Sequence, residues 1–367
     1  MLEVLIDFIM KSLPPYITTT GPLVSIVIPT YNVGAYLKRC FQSIQNQTYK
    51  NFEVVIMDDC STDDSFAVGK EQEKSDERFR AYRMTANSGA GDTRQAAIEL
   101  TKGEMICFVD GDDWLDENYL AVLYGILKST GADIACCQQY FYDETTGEIN
   151  TPWPYNNKVM EMTSVEAMKK MKWYDRIDES LWNKLYRREV IMRHKMITAP
   201  FEDGLVLYKY FSNADTVAVC GIPLYWYFQR EGSLMHMRYT PQMEFARFEQ
   251  LVLKDKAISG ERRLTCRTVR LHIRKGMKML REFSLLEQSS ELDDICRDLV
   301  QFIRSFDSIS IRHLGIGPYI ARTISYVNVK LYMAFNRKIT EMFNRKRIDK
   351  VRYKYSLLTM EVFQKGL

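Results

Sequence analysis

Four short polar runs carry groups able to do chemistry. Met105-Ile-Cys-Phe-Val109 is an apolar stretch that ends in Asp110-Gly-Asp-Asp113. Three carboxylates crowded at the tip of a buried strand repel one another, and taking them out of water without a partner is costly. A divalent cation removes that cost, and an oxygen-only donor set suits Mg²⁺ or Mn²⁺, ions that usually also hold phosphate oxygens. The alternative is a solvated turn in which Asp113 or Asp116 caps a helix. Two other apolar runs end in Pro29-Thr-Tyr-Asn32 and Asp58-Asp-Cys-Ser61. An aspartate after the second of these can accept hydrogen bonds from a nucleobase or ribose. Tyr31 offers a ring to stack on a base, or is an ordinary loop aromatic. The fourth run is Ala199-Pro-Phe-Glu-Asp203, a loop entering a helix.

The segments between these runs must place them. Residues 24–29, 52–57 and 105–109 are apolar and rich in β-branched side chains, the pattern of strands buried on both faces, and residues 79–84 read as a further strand. Between them lie helical stretches: 34–47, with Leu37, Phe41 and Ile44 on one side; a helix after Ser61-Thr-Asp-Asp64; and 92–101. A helix at about 116–129 and a strand at about 132–142 complete a β-α-β-α-β-α-β alternation, the mark of a sheet with helices on both faces. In such open sheets ligands bind beyond the carboxyl ends of the strands, where Tyr31, Asp59 and Asp110–Asp113 fall. Beyond residue 150 the period weakens. Residues 216–220 and 224–228 read as two more strands, and from about 240 onward the chain reads as helical. Ile320, Ile324, Val327, Leu331, Phe335, Ile339 and Met342 recur at steps of three or four, with Gly315-Ile-Gly-Pro318 as the break before them.

The chain has 367 residues, 46% apolar and 26% charged, so it has material for a core and for more than one domain. Its net charge is only +3, yet residues 312–354 hold 11 Lys or Arg against 2 Asp or Glu. That asymmetry points to an anionic surface near the C-terminal end. Basic side chains beside an apolar stripe (Arg322, Lys330, Arg337, Lys338 and Arg345–Arg347) suit peripheral contact with anionic lipid headgroups, against a helical packing domain with a solvated basic face. No nucleic-acid motif accompanies the charge. Eight cysteines with no CxxC or zinc spacing read as free thiols of a reducing cytoplasm. Residues 2–13 read as a short amphipathic helix rather than a signal peptide, because Glu3 and Asp7 stand where basic residues belong. No run approaches a membrane span in length.

Val24-Ser-Ile-Val-Ile-Pro-Thr-Tyr-Asn32 resembles the opening strand of the family-2 glycosyltransferases, which have the GT-A fold. Gln47-Thr-Tyr-Lys-Asn-Phe-Glu53, Asp58-Asp-Cys-Ser-Thr-Asp63, Asn87-Ser-Gly89, Gly103-Glu-Met-Ile106 and the Asp-x-Asp element follow in that family's order. Trp182-Asn-Lys-Leu-Tyr186, Glu202–Asp203 and Leu224-Tyr-Trp-Tyr227 extend the resemblance over residues 22–236. It implies a GT-A, Rossmann-like mixed sheet flanked by helices and a mainly helical C-terminal region. The expected boundaries are 1–21 for an N-terminal extension, 22–238 for the GT-A domain and 239–367 for the helices.

The same resemblance implies roles. Pro29, Tyr31 and Asp59 would hold a uridine-type nucleotide. Arg94 would reach the base or diphosphate, although Thr93-Arg-Gln95 replaces the family's frequent Ala-Arg-Asn. Asp110 and Asp112 are the Asp-x-Asp pair, with Asp112 or Asp113 on the Mn²⁺ or Mg²⁺ ion and His236 as a further metal or diphosphate contact. Asp203 would be the catalytic base and Glu202 its fallback. Displacing a nucleoside diphosphate from a sugar needs charge stabilised on the leaving group and a proton taken from the acceptor hydroxyl on the opposite face. The expected reaction is inverting transfer from a nucleotide sugar, with UDP as its nucleotide, to a glycan or lipid-linked acceptor. The expected location is the cytoplasm, at the inner face of the cell membrane where the basic helices touch it. Two competing readings are a nucleotidyltransferase that makes sugar nucleotides, and a non-catalytic nucleotide- or glycan-binding module. Trp182 reads as either an acceptor-side group or packing, and Trp114 as core.

Overall fold

β1 (Val24–Thr30), β2 (Phe52–Asp58) and β4 (Met105–Phe108) pair in parallel, with β1 in the middle. Their side chains are buried almost without exception, which is why the sequence shows continuous apolar runs rather than alternation. β3 (Phe79–Arg83) adds to β2 at one edge. The full sheet runs β3-β2-β1-β4-β9-β6-β10-β5, with β7 (Ile149–Asn150) and β8 (Asn156–Thr163) hung on β6 and β10. Here β5 is Trp114–Leu115, β6 is Ile134–Asp143, β9 is Lys184–Arg187 and β10 is Thr216–Gln229. The computed structural model describes residues 17–172, 175–196, 202–230, 239–259, 266–287, 289–305, 329–343 and 345–355.

Helices α1 (Gly34–Gln45), α2 (Ser65–Ser75), α3 (Ala90–Leu100) and α4 (Tyr119–Thr130) fall close to where periodicity places them. Leu37, Phe41 and Ile44 of α1 are buried against the sheet as their spacing requires. Gly131 closes α4 in the left-handed conformation at φ +74. After α4 come α5 (Ser164–Lys172), α6 (Arg188–Met192) and α7 (Glu202–Ser212).

Two features of the sheet differ from the alternation. β9, made of the Lys-Leu-Tyr-Arg segment, inserts antiparallel between β4 and β6. It has only four residues, too few for a period to register. The two strands expected at 216–220 and 224–228 are one strand, β10, whose register against β6 shifts around Pro223. Proline lacks the amide that the ladder needs, so the strand bulges there instead of ending. Gly221 lets the backbone of Asn156 approach: a Cβ at Gly221 would stand 2.9 Å from the Asn156 carbonyl oxygen.

The chain divides into two compact units, Met1–Arg230 and Glu231–Leu367. The second is helical where described: α8 (Pro241–Ile258), α9 (Cys266–Phe283), α10 (Ser290–Arg304), α11 (Val329–Phe343) and α12 (Arg345–Lys354). Phe248, Ile273, Leu280, Phe283, Leu299 and Ile303 lie at its centre. Lys354 of α12 pairs with Glu244 of α8 at 2.9 Å and with Glu282 of α9 at 3.5 Å. Among the described residues no helix is long and apolar enough to cross a membrane. The expected N-terminal helix, the Gly315–Pro318 break and Ile320, Ile324 and Val327 of the apolar stripe lie outside the described residues.

Candidate active site

The three parallel strands β1, β2 and β4 deliver Tyr31, Asp59 and Asp110 to the same carboxyl edge, because parallel pairing puts like ends together. The loops there are tied to one another. Asn32, at φ +53, accepts from the Thr62 amide at 2.8 Å through Oδ1, and its own amide donates to Ser61 Oγ. Asp63 accepts from the amides of Gly34 and Ser65, so one carboxylate caps the starts of both α1 and α2. Any side chain at Gly34 would collide with Asp64. Pro29 is half-buried at the end of β1, and Tyr31 is 50% exposed over this edge.

Asp58 and Asp59 are both buried. Asp58 accepts from the Ser61 amide at 3.0 Å and pairs with Arg83 at 3.2 Å. Asp59 accepts from the amides of Ser88 and Gly89 at 2.8 Å each, and its carbonyl accepts from the Asn87 side chain. The Asn87-Ser-Gly89 turn is therefore built around Asp59. Gly89 carries φ +87 there, a conformation other residues rarely adopt.

The acidic run fans out in three directions. Asp110 accepts from Arg94 Nη2 at 2.9 Å. Asp112 accepts from Arg230 Nε at 2.8 Å, and Arg230 also lies 5.1 Å over the Tyr36 ring. Asp113 points into the protein, 1% exposed, accepting from the Tyr225 hydroxyl at 2.6 Å and the Phe228 amide at 2.8 Å. The same Tyr225 oxygen accepts from the Asp110 amide at 3.1 Å, so one phenol braces both ends of the run. Gly111 packs closely, since a Cβ there would stand 3.0 Å from the side chains of Leu37 and Val33.

Asp113 is the least accessible of the three, both its oxygens serving the internal braces of the run. Burial, followed by the charges of Asp112 and Asp110, pushes its carboxyl well above the ordinary range. Burial and Asp110 push Asp112 up as well, against the opposing pull of Arg230. Asp110 and Asp112 keep side chains 26% and 19% exposed. Two partly exposed carboxylates at a strand tip fit Mg²⁺ or Mn²⁺, ions that need only one or two protein oxygens beside water and phosphate. Among the described residues no group of three or more His, Cys, Asp or Glu could hold a metal.

Asp203 lies in the first turn of α7, where the helix dipole favours a negative charge. Its Oδ1 accepts from Arg94 Nη1 at 2.9 Å. Arg94, with a side chain only 6% exposed, therefore bridges Asp203 and Asp110. Burial and then the Asp203 charge push the nearby Tyr210 phenol up. Glu202 opens α7, but its side chain lies outside the described residues, as does all of His236.

Several residues gain parts that the sequence did not assign. Tyr225 and Arg230 act 112 to 118 positions away from the carboxylates they hold. Leu224-Tyr-Trp-Tyr227 stood out as a motif, yet nothing in its spacing names a partner. Trp182 is packing: it stacks on Tyr225 at 4.6 Å and on Tyr227 at 5.2 Å. Trp114 is half-buried rather than core, stacked on Trp226 with the Arg39 guanidinium 3.8 Å above it. Lys184 is fully buried, bound to Asp178, the Ser180 carbonyl and Asn183 at 2.7–2.9 Å. Of the cysteines, seven are seen to be free, six of them buried.

Comparison with known proteins shows what the chain is similar to. Residues 25–194 match the model of glycosyl transferase family 2. The chain is 28% identical over 291 residues to the glycosyltransferase GlyG of Streptococcus pneumoniae, covering 76% of this chain and 96% of GlyG. It is 31% identical over 218 residues to the putative glycosyltransferase EpsH of Bacillus subtilis, covering 56% of this chain and 60% of EpsH. Among solved structures, S. aureus TarS 1–349 in complex with UDP-GlcNAc aligns with a TM-score of 0.58 at 20% identity, over 94% of this chain and 92% of that one. That likeness concerns the fold.

Proposed function

Because this chain belongs to glycosyl transferase family 2 and is a glycosyltransferase, we propose that it transfers a sugar, with inversion, from a UDP-sugar to a hydroxyl of a glycan or lipid-linked acceptor, with Asp203 as the base. The nucleotidyltransferase and non-catalytic readings fall away with the family. One observation supports the assignment most: Asp203 stands across a single guanidinium from Asp110, 2.9 Å on either side. That arrangement sets a carboxylate opposite the donor-side run. Inversion by one in-line displacement needs such opposition between base and leaving group.

In this reading Pro29 and Tyr31 border the nucleoside and Asp59 holds the Asn87–Gly89 turn against it. Asp110 faces the donor, and Asp112 takes the place nearest the diphosphate. A Mg²⁺ or Mn²⁺ ion held by Asp112 with Asp110 would stabilise the charge that develops on the leaving diphosphate. Asp203 Oδ1 is oriented by Arg94, and its carboxylate takes the acceptor proton. Glu202 remains the alternative base and His236 the alternative donor-side contact.

Melting shifts with UDP, GDP and dTDP, each with Mn²⁺ and with EDTA, followed by hydrolysis of a panel of UDP-sugars, test the reading. UDP is expected to raise the melting temperature clearly only with the ion. Asp203→Asn is expected to keep that shift and lose hydrolysis. Equal hydrolysis by Asp203→Asn and the parent would remove Asp203 as base, and an EDTA-insensitive UDP shift would remove the metal.

We also propose peripheral contact of the basic helices with anionic lipid at the inner face of the membrane. Part of the positive charge is already used internally, since Lys330 pairs with Asp293 and Lys354 with Glu244. Lys338, Lys350 and Arg352 are exposed and would carry the contact. Co-sedimentation with phosphatidylglycerol vesicles but not with phosphatidylcholine vesicles is the expected result; equal sedimentation with both would refute it.

A further inference from the structure

The sequence reading gives Arg94 to the donor, but both of its terminal nitrogens are on carboxylates. Nη1 reaches Asp203 Oδ1 and Nη2 reaches Asp110 Oδ1, each at 2.9 Å. We infer that Arg94 is a positioning residue: its guanidinium clamps the carboxylate of the acceptor-side base to the tip of β4 and so sets the angle from which Asp203 meets the acceptor hydroxyl. The inference rests on the reading of Asp203 as base.

Three observations carry it. First, a guanidinium is a rigid planar fork, so two carboxylates bound to its two ends are fixed relative to each other and not merely attracted. Second, one end of the clamp is a fixed point of the sheet edge: Asp110 is anchored through its own amide to the Tyr225 phenol, 3.1 Å away, in a loop braced by Asp113. Third, the Arg94 side chain is 6% exposed against 24% for Asp203 and 26% for Asp110. The cation lies behind the two anions, with the carboxylates toward the open side, as expected of a support rather than a group reaching out to a diphosphate.

Misplacing a catalytic group by an ångström costs on the order of 10²-fold in rate. The effect falls on kcat, since a base acts in the transition state and not in donor binding. The assay is steady-state hydrolysis of whichever UDP-sugar gives the largest melting shift, with the UDP shift itself reporting folding and donor binding. For Arg94→Met, kcat is expected to fall about 100-fold with donor KM changed less than about 3-fold. Arg94→Lys, which keeps the charge but not the fork, should recover only part of the loss. The double variant Arg94→Met/Asp203→Asn should be no slower than Asp203→Asn alone, because a clamp has no effect once the base is gone.

A rise in donor KM with kcat unchanged in both Arg94→Met and Arg94→Lys would overturn the inference and return Arg94 to the donor. Multiplying losses in the double variant would overturn it as well. If Asp203→Asn alone keeps parental kcat, the base assignment itself has failed, whatever Arg94 does. If Asp203→Asn is inactive while Arg94→Met alters only KM, the clamp alone has failed.

Discussion

Tyr225→Phe removes one oxygen from the most connected point of the site and leaves the ring in place. The ring stacks on Trp182 and meets Tyr119 edge-on, so phenylalanine keeps the packing. What disappears is a donor to buried Asp113 at 2.6 Å and an acceptor for the Asp110 amide at 3.1 Å. A hydrogen bond to a charged partner contributes about 1.5–3 kcal/mol, and an amide left without its partner costs about 1–3 kcal/mol if no water reaches it. The Asp110 end is near solvent, so the lower part of the second range applies, and the two together come to about 3 kcal/mol. In a unit of some 230 residues each kcal/mol moves the melting temperature by about 2–4 °C, giving a loss of roughly 6–12 °C. Differential scanning calorimetry resolves this unit from the helical one if they melt separately, and near-ultraviolet circular dichroism reports its aromatic cluster directly. In an Asp113→Asn background the same substitution should cost less than half as much, since the charged partner is gone. A loss below about 1 °C, the size expected of a surface change, would refute the brace, and so would equal losses in both backgrounds.

Asp76 tests a pH effect of known sign. Arg78 binds it through two nitrogens, and with its other partners this holds the Asp76 carboxyl down at about 2 against an ordinary 3.8. A depressed carboxyl stabilises the fold above its unfolded value and stops doing so as pH falls through the folded one. Asp76→Asn should therefore cost about 2 kcal/mol at neutral pH, with the gap to the parent closing between pH 4 and pH 2 in urea melts; a gap independent of pH would contradict this. Lys184→Met strands Asp178 beside a buried apolar stem and should destabilise the catalytic unit by about 3–5 kcal/mol, while Lys184→Met/Asp178→Leu recovers part of that; no recovery would argue against the pair. Lys354→Met uncouples α12 from Glu244 and Glu282, and limited proteolysis should cut within the helical unit sooner, whereas an unchanged cleavage time would show the clip to be dispensable.

The central strands were legible because burial on both faces leaves few polar positions, Ser25 and Glu53, to blur them: 24–29 and 52–57 match β1 and β2 to within a residue. The helices were legible through Leu37, Phe41 and Ile44 and their like. The gathering of Tyr31, Asp59 and Asp110 at one edge followed, since in a parallel sheet the location of strand ends is a matter of topology. What stayed hidden was set by distant pairing. β9 is too short to show a period, and Pro223 looked like a strand end although the sheet accommodates it as a bulge. Asp113 looked like Asp112 in sequence, and only the arrival of β10 beside it separates the two.

Spacing gives Asp110, Asp112 and Asp113 one shared task, because adjacent carboxylates on a turn look equivalent. In the fold each meets a different partner: Arg94 from α3, Arg230 from the end of β10, and Tyr225 with the Phe228 amide from within β10. Mutual repulsion is relieved by dispersal, each charge being turned toward its own donor. The consequence for chemistry is a division of labour. Asp113 is fixed inside and rigidifies the turn. Asp112, 19% exposed, is paired with Arg230 at the end of β10. Asp110 shares its guanidinium with Asp203, and through that one group the carboxyl edge of the sheet and the start of α7 are made parts of a single arrangement.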